Sequence, residues 1–114
     1  MKQRVLVMNG QKLLQSERAG QWQVDKVEKA GALKPGIYNI YLSTPADQAS
    51  VHVGVVLHAD PEFVYQHVGK TFVRHDRTSF AQVPPLGAHV SIRYQQDQAV
   101  VAAAAVKLGR KLSR

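Results

Sequence analysis

The chain has 114 residues, which suits one domain with a core of its own, and its 45% hydrophobic content excludes a wholly disordered protein. There is no cysteine, which excludes disulfides, thiolate catalysis and cysteine-bound zinc, and no apolar run approaches the roughly 20 residues of a helical membrane span. The net charge is +7 with a pI of about 10.0, so nucleic acid, an anionic surface or an acidic protein is the natural class of partner.

In chain order, strand signals dominate. Residues 4–8 form a short aliphatic run closed by Asn9-Gly10, a strong turn dipeptide, and residues 12–16 can return as the partner strand. The apolar run after Arg4 is too short for a secretory leader, so the bacterial cytoplasm is the expected compartment. Residues 21–24 alternate polar and apolar, as a half-buried strand does. Val27, Ala30 and Leu33 recur at three-residue spacing and make residues 25–33 a helical candidate, kept short by Gly31 and Pro35. After the Pro35-Gly36 turn, residues 37–42 read as a strand, and residues 43–50 read as a small, polar linker.

The second half opens with an apolar strand over residues 51–58. Strands at 63–66 and 71–75 follow, separated by Gly69-Lys70. Residues 77–81 suit one helical turn with Asp76 as its N-cap, ended by Pro84-Pro85. Residues 90–94 alternate clearly, and residues 99–102 can pair back on them. The halves run in parallel: Gln15 leads to Gly36 over the same separation as Gln66 to Gly87. The expected fold is mainly β, a small barrel-like antiparallel domain of the SH3 or OB kind, built from two related units with one or two short helices. The units are 1–42 and 51–102, joined by a linker at 43–50 and followed by a basic tail at 103–114, the two packing as one domain.

A family resemblance rests on the second half. Gly54-Val55-Val56-Leu57-His58, Val64-Tyr65-Gln66-His67-Val68-Gly69-Lys70 and Phe72-Val73-Arg74-His75 carry it, with Phe80, Val83-Pro84, Gly87 and Val90-Ser91-Ile92-Arg93-Tyr94. Together they resemble the KfrB domain of conjugative plasmids and integrative elements. The resemblance spans about residues 51–101, and Val5-Leu6-Val7-Met8-Asn9-Gly10 with residues 25–41 is similar to the front of stand-alone members. It implies a role in plasmid maintenance or conjugative transfer, alongside other plasmid-encoded partition or transfer proteins. It brings no catalytic residue with it.

The residue chemistry favours binding over catalysis. His52, His58, His67, His75 and His89 lack the close spacing of a local ligand pair, although a barrel could gather His58, His67 and His75; no metal or cofactor is expected. His75-Asp76 sets a carboxylate beside an imidazole, but strand neighbours point to opposite faces, and no phosphate-cradling glycine loop is present. Aromatics interleaved with cations suit nucleic-acid binding on a β surface. Phe72 and Arg74 share a face of one strand; Trp22 and Phe72 read as core, and Tyr65 and Arg93 as surface. After Asp97 there is no acid, while Lys107, Arg110, Lys111 and Arg114 would share one face of a helix. The expected protein is a non-enzymatic accessory factor that binds DNA through Lys70, Arg74, Arg77, Arg93 and those four tail cations, without a membrane. The alternative is an adaptor between plasmid proteins, with no nucleic-acid contact.

Overall fold

Alternating side chains build the first sheet. In the computed structural model, which describes residues 2–104, β1 (Gln3–Met8), β2 (Gln11–Arg18) and β3 (Gln21–Lys29) form a meander. β4 (Gly36–Tyr38) returns to the free side of β1, giving the order β3-β2-β1-β4. Asn9 and Gly10 both have positive φ, 52° and 76°. This is the primed-turn geometry whose twist matches that of the strands it joins.

β3 occupies part of the stretch expected to be helical. Leu14 stands opposite Lys26 and Gln15 opposite Val24, so Asp25 is the extra residue of a β-bulge. The bulge stretches the two-residue period of the strand to three and sets Val24 and Val27 on one face. The helical expectation rests instead on Val27, Ala30 and Leu33, of which Val27 is an exposed residue of this strand. Ala30 and Leu33 are buried in the turn beyond the strand. The strand expected over residues 37–42 stops at Tyr38, and a 3-10 turn, Ile40–Leu42, buries Ile40.

The second sheet comprises β5 (Thr44–Pro45), β6 (His52–Ala59), β7 (Phe63–Val68), β8 (Thr71–Asp76), β9 (His89–Gln95) and β10 (Gln98–Ala103), in the order β10-β9-β6-β7-β8-β5. Its pairs are antiparallel except β5 on β8, so the segment 43–50 contributes a parallel edge strand. Asp47 then closes a local turn, accepting from the Ala49 N–H at 2.9 Å and the Ser50 hydroxyl at 3.1 Å. Asp76 precedes a 3-10 turn, Arg77–Ser79, without capping it through its side chain. The run β6 to β9 has the spatial order β8-β7-β6-β9, the connectivity of β1 to β4 repeated. Among the described residues neither sheet closes on itself, so the mainly β fold is a pair of open sheets instead of a barrel.

Two apolar clusters hold these sheets. Val5, Val7, Ala30, Leu33 and Ile40 pack on Leu57 and Tyr65, joining the sheets. On the opposite face of the second sheet, Val56, Val64, Val90 and Ile92 pack with Phe80 and Val83. β7 is therefore covered on both sides, and Val64, Tyr65 and Gln66 are buried in succession. Tyr65, expected at the surface, is 8% exposed because the first sheet lies over it. Gly54 is tightly enclosed, for a Cβ there would lie 1.8 Å from the His67 carbonyl oxygen.

Candidate functional site: an aromatic and cationic groove between the sheets

Strand β8 alternates sharply. Val73 and His75 point to one face and are buried; Phe72 and Arg74 point to the other and are half-buried. The Arg74 guanidinium lies 5.7 Å from the centre of the Phe63 ring and donates to the Ser43 carbonyl at 2.7 Å. Arg74 thus stands in a groove of about 540 Å³ lined by Lys2, Glu17, Ile40, Tyr41, Ser43, Phe63 and Tyr65. Two further cation–ring pairs lie beside it: Lys2 Nζ is 5.3 Å from the Tyr41 ring centre and the Arg4 guanidinium 4.1 Å from that of Trp22. The Trp22 and Tyr41 rings are 6.0 Å apart. Such pairs hold a ring and a positive charge side by side, the combination that stacks a base and meets its phosphate.

Behind the groove, β8 carries a buried polar network. His75 is fully buried; its Nε2–H donates to Gln66 Oε1 at 2.8 Å, and its Nδ1 accepts from the Tyr94 hydroxyl at 2.6 Å. Gln66 Nε2 faces the carbonyls of His52, Gly54 and Val90 at 3.1, 3.3 and 3.2 Å. Burial, with the nearby His52, lowers the His75 pKa to about 4, and burial, with Asp76, raises that of Tyr94 to about 12. The imidazole is therefore neutral at neutral pH and closed to solvent. A second polar contact joins the sheets: Lys12, 1% exposed, donates to His58 Nδ1 at 2.8 Å and to Glu28 at 3.2 Å. Burial first, and the Lys12 charge second, bring His58 down to about 4; burial also lowers Lys12.

The expected basic residues are dispersed. Lys70 sits in the β7–β8 turn and Arg77 just past the far end of β8, a strand's length away, roughly 23 Å at the usual rise. Arg77 donates to the Asp60 carbonyl at 2.8 Å. Arg93 is exposed on β9, opposite Val100 and three strands from Arg74. Lys107, Arg110, Lys111 and Arg114 lie outside the described residues, as does the helix expected there. Phe72 stacks on His67 with ring centres 4.9 Å apart, and His58, His67 and His75 lie in three separate surroundings. Lys2 and Tyr41, absent from the expected binding residues, complete the groove, and Arg4 with Trp22 lies on the adjoining outer face of the first sheet. Their residue types were visible, but only the wrap of the 3-10 turn around β1 brings Tyr41 to Trp22 and Lys2.

An open two-sheet β protein, with a histidine–glutamine hub beneath an aromatic and cationic groove, is the class that these features define. Residues 51–103 match the family model described as the KfrB Domain, which spans β6 to β10 and so contains the Gln66, His75 and Tyr94 network. Over 101 residues the chain is 32% identical to Protein TraB of Escherichia coli, covering 86% of this chain and 69% of that protein. The chain belongs to the KfrB-domain family. Among the described residues no helix is long and apolar enough to cross a membrane.

Proposed function

We propose that this protein is a non-enzymatic accessory factor of plasmid maintenance or conjugative transfer that acts by binding DNA. The family supports the plasmid setting. The observation that carries the DNA reading is the groove, where Lys2 and Arg74 stand against the Tyr41 and Phe63 rings, with the Arg4–Trp22 pair on the adjoining outer face of the first sheet. Rings of this kind take unpaired bases, which a duplex keeps stacked, so single-stranded DNA is the preferred form. The basic residues after Asp97 add sequence-independent attraction to the backbone.

The test is fluorescence-anisotropy titration of the full chain with labelled single- and double-stranded DNA at several salt concentrations, repeated with residues 105–114 removed. Binding that weakens steeply with salt, favours the single strand and survives in part without the tail supports the reading. No binding at low salt overturns it.

The adaptor reading draws support from a different surface. Val27, Leu13, Leu6 and Ile37 stand side by side across β3, β2, β1 and β4, and Val27 and Ile37 are more than half exposed. An apolar row of this kind on an outer sheet face suits another protein. Salt-insensitive capture of a plasmid-encoded protein, lost on Ile37→Glu, would favour it.

A further inference from the structure

Among the described residues the two sheets have four edges, and three of them are guarded against pairing. β4 and β5 offer three and two residues, too few to template another strand. β3 offers nine, but it is bulged at Asp25 and carries Asp25, Lys26, Glu28 and Lys29. Bulges and charged side chains are the usual means of blunting an edge. β10 has neither. Gln98–Ala103 contains no charge, proline or glycine, pairs with β9 in unbroken register, and is bonded by no other strand among the described residues.

The core is also open on this side. The β9–β10 register sets Ala99, Val101 and Ala103 beside Tyr94, Ile92 and Val90. The cluster around Val90 and Ile92 therefore extends across the sheet onto Ala99 and ends at Val101, which is 36% exposed. A groove of about 420 Å³ runs along the same face, between β10 and the Val83-Pro84-Pro85 segment.

We propose that β10 is an interface between two copies of this chain, paired antiparallel about a two-fold axis at Val101 so that the two larger sheets become one. A two-fold axis through a strand pair sets the central residue against its own counterpart and brings like charges together wherever that strand is charged. β10 has no charge to repel. Val101 meets the partner's Val101, Val100 meets the partner's Ala102, and Ala99 meets the partner's Ala103, so each facing couple is apolar. The antiparallel sense also sets Ala104, from which the chain continues to its basic end, at opposite ends of the pair. The two starting points are then roughly 20 Å apart, beyond the screening length of physiological salt. The foreign strand that could occupy the same edge is an outcome of the test.

Sedimentation velocity on the full chain, from low micromolar to millimolar concentration, reads the proposal directly. The expected result is a rise from monomer to dimer, with Val101→Lys monomeric throughout while keeping the parent's circular dichroism and melting behaviour. The absence of native cysteine allows a second reading through Val101→Cys. Directly paired strand residues have Cα atoms about 4.5–5.5 Å apart, within reach of a disulfide. Mild oxidation should link Val101→Cys into a dimer and leave Val24→Cys, on the guarded edge, largely unlinked. A chain that stays monomeric at every concentration and crosslinks equally at both positions overturns the proposal, and leaves the edge to a foreign strand. A dimer that survives Val101→Lys overturns it as well, by placing the contact elsewhere.

Discussion

Gln66 accepts the His75 Nε2–H at 2.8 Å across two neighbouring strands, and this bond sets the direction of the whole buried network. With its oxygen facing His75, the Gln66 amide must turn its nitrogen toward the carbonyls of His52, Gly54 and Val90. With Nε2 as donor, His75 has Nδ1 left to accept from Tyr94. One glutamine thereby ties β7 to β6, β8 and β9. Replacing it by leucine strands the His75 N–H and several carbonyls in a dry interior, where each unmet group costs about 1–3 kcal/mol. Gln66→Leu should lose about 3 kcal/mol in urea unfolding, with the slope unchanged. A loss below about 1 kcal/mol would show that water replaces the amide.

The same burial predicts acid sensitivity. His58 and His75 have pKa values near 4 in the folded chain against 6.5 when free. Between those values the unfolded chain binds more protons, so stability rises with pH through that window. The contribution is complete above about pH 6.5 and drains away as the pH falls toward 4, at most about 3 kcal/mol for each histidine. Urea midpoints should fall from pH 6.5 to pH 4.5, and the two imidazole proton resonances should hold still until below about pH 5. Titration of either near 6.5 in the folded protein would show that its ring reaches solvent.

The sequence made the strands legible because most alternate cleanly: Val5 and Val7 in β1, Val90 and Ile92 in β9. It misled where alternation was broken or doubled. The three-residue spacing of Val27, Ala30 and Leu33 imitated a helix, yet Val27 is an exposed strand residue and Ala30 and Leu33 are buried in the turn that follows. Tyr65 looked free because a strand in isolation shows nothing of the sheet that covers it. The Gln66–His75 pair gave no local signal, since it joins diagonal neighbours whose meeting depends on the β7–β8 register. Gln66 stood out in the repeat and His75 beside Asp76, but neither pointed to the other. Lys12 is the extreme case: it reads as a surface lysine in a hairpin, and only sheet-on-sheet packing puts it against His58.

Gly54 offers a steric test of the central strand. A methyl group there meets the His67 carbonyl oxygen at 1.8 Å, and that oxygen belongs to backbone, which cannot rotate away as a side-chain tip can. β6 is flanked by β7 and β9 and has no room to slide. Gly54→Ala should therefore cost about 3 kcal/mol or more and broaden the amide spectrum of β6 and β7. Gly20→Ala is a useful contrast, because its Cβ meets nothing within 4 Å and its cost comes only from a φ of +79°. Equal losses for the two would mean that β6 and β7 part more easily than their register implies.

Tyr41 separates the groove from the tail as the seat of DNA binding. Its ring is 38% exposed and is held by Lys2 and Trp22 instead of the core, so Tyr41→Ala should leave the fold intact, with a stability change of no more than about 1 kcal/mol. If the ring stacks a base, its loss costs about 1–3 kcal/mol of binding, roughly tenfold or more in affinity for single strands. Duplex affinity should barely move, because paired bases offer the ring no open face. Lys2→Ala should act differently, reducing the salt slope by about one unit and weakening both forms alike if it meets a phosphate. Tyr41→Ala binding single strands as tightly as the parent, while removal of residues 105–114 abolishes binding, would exclude the groove and leave the basic end as the DNA-binding element.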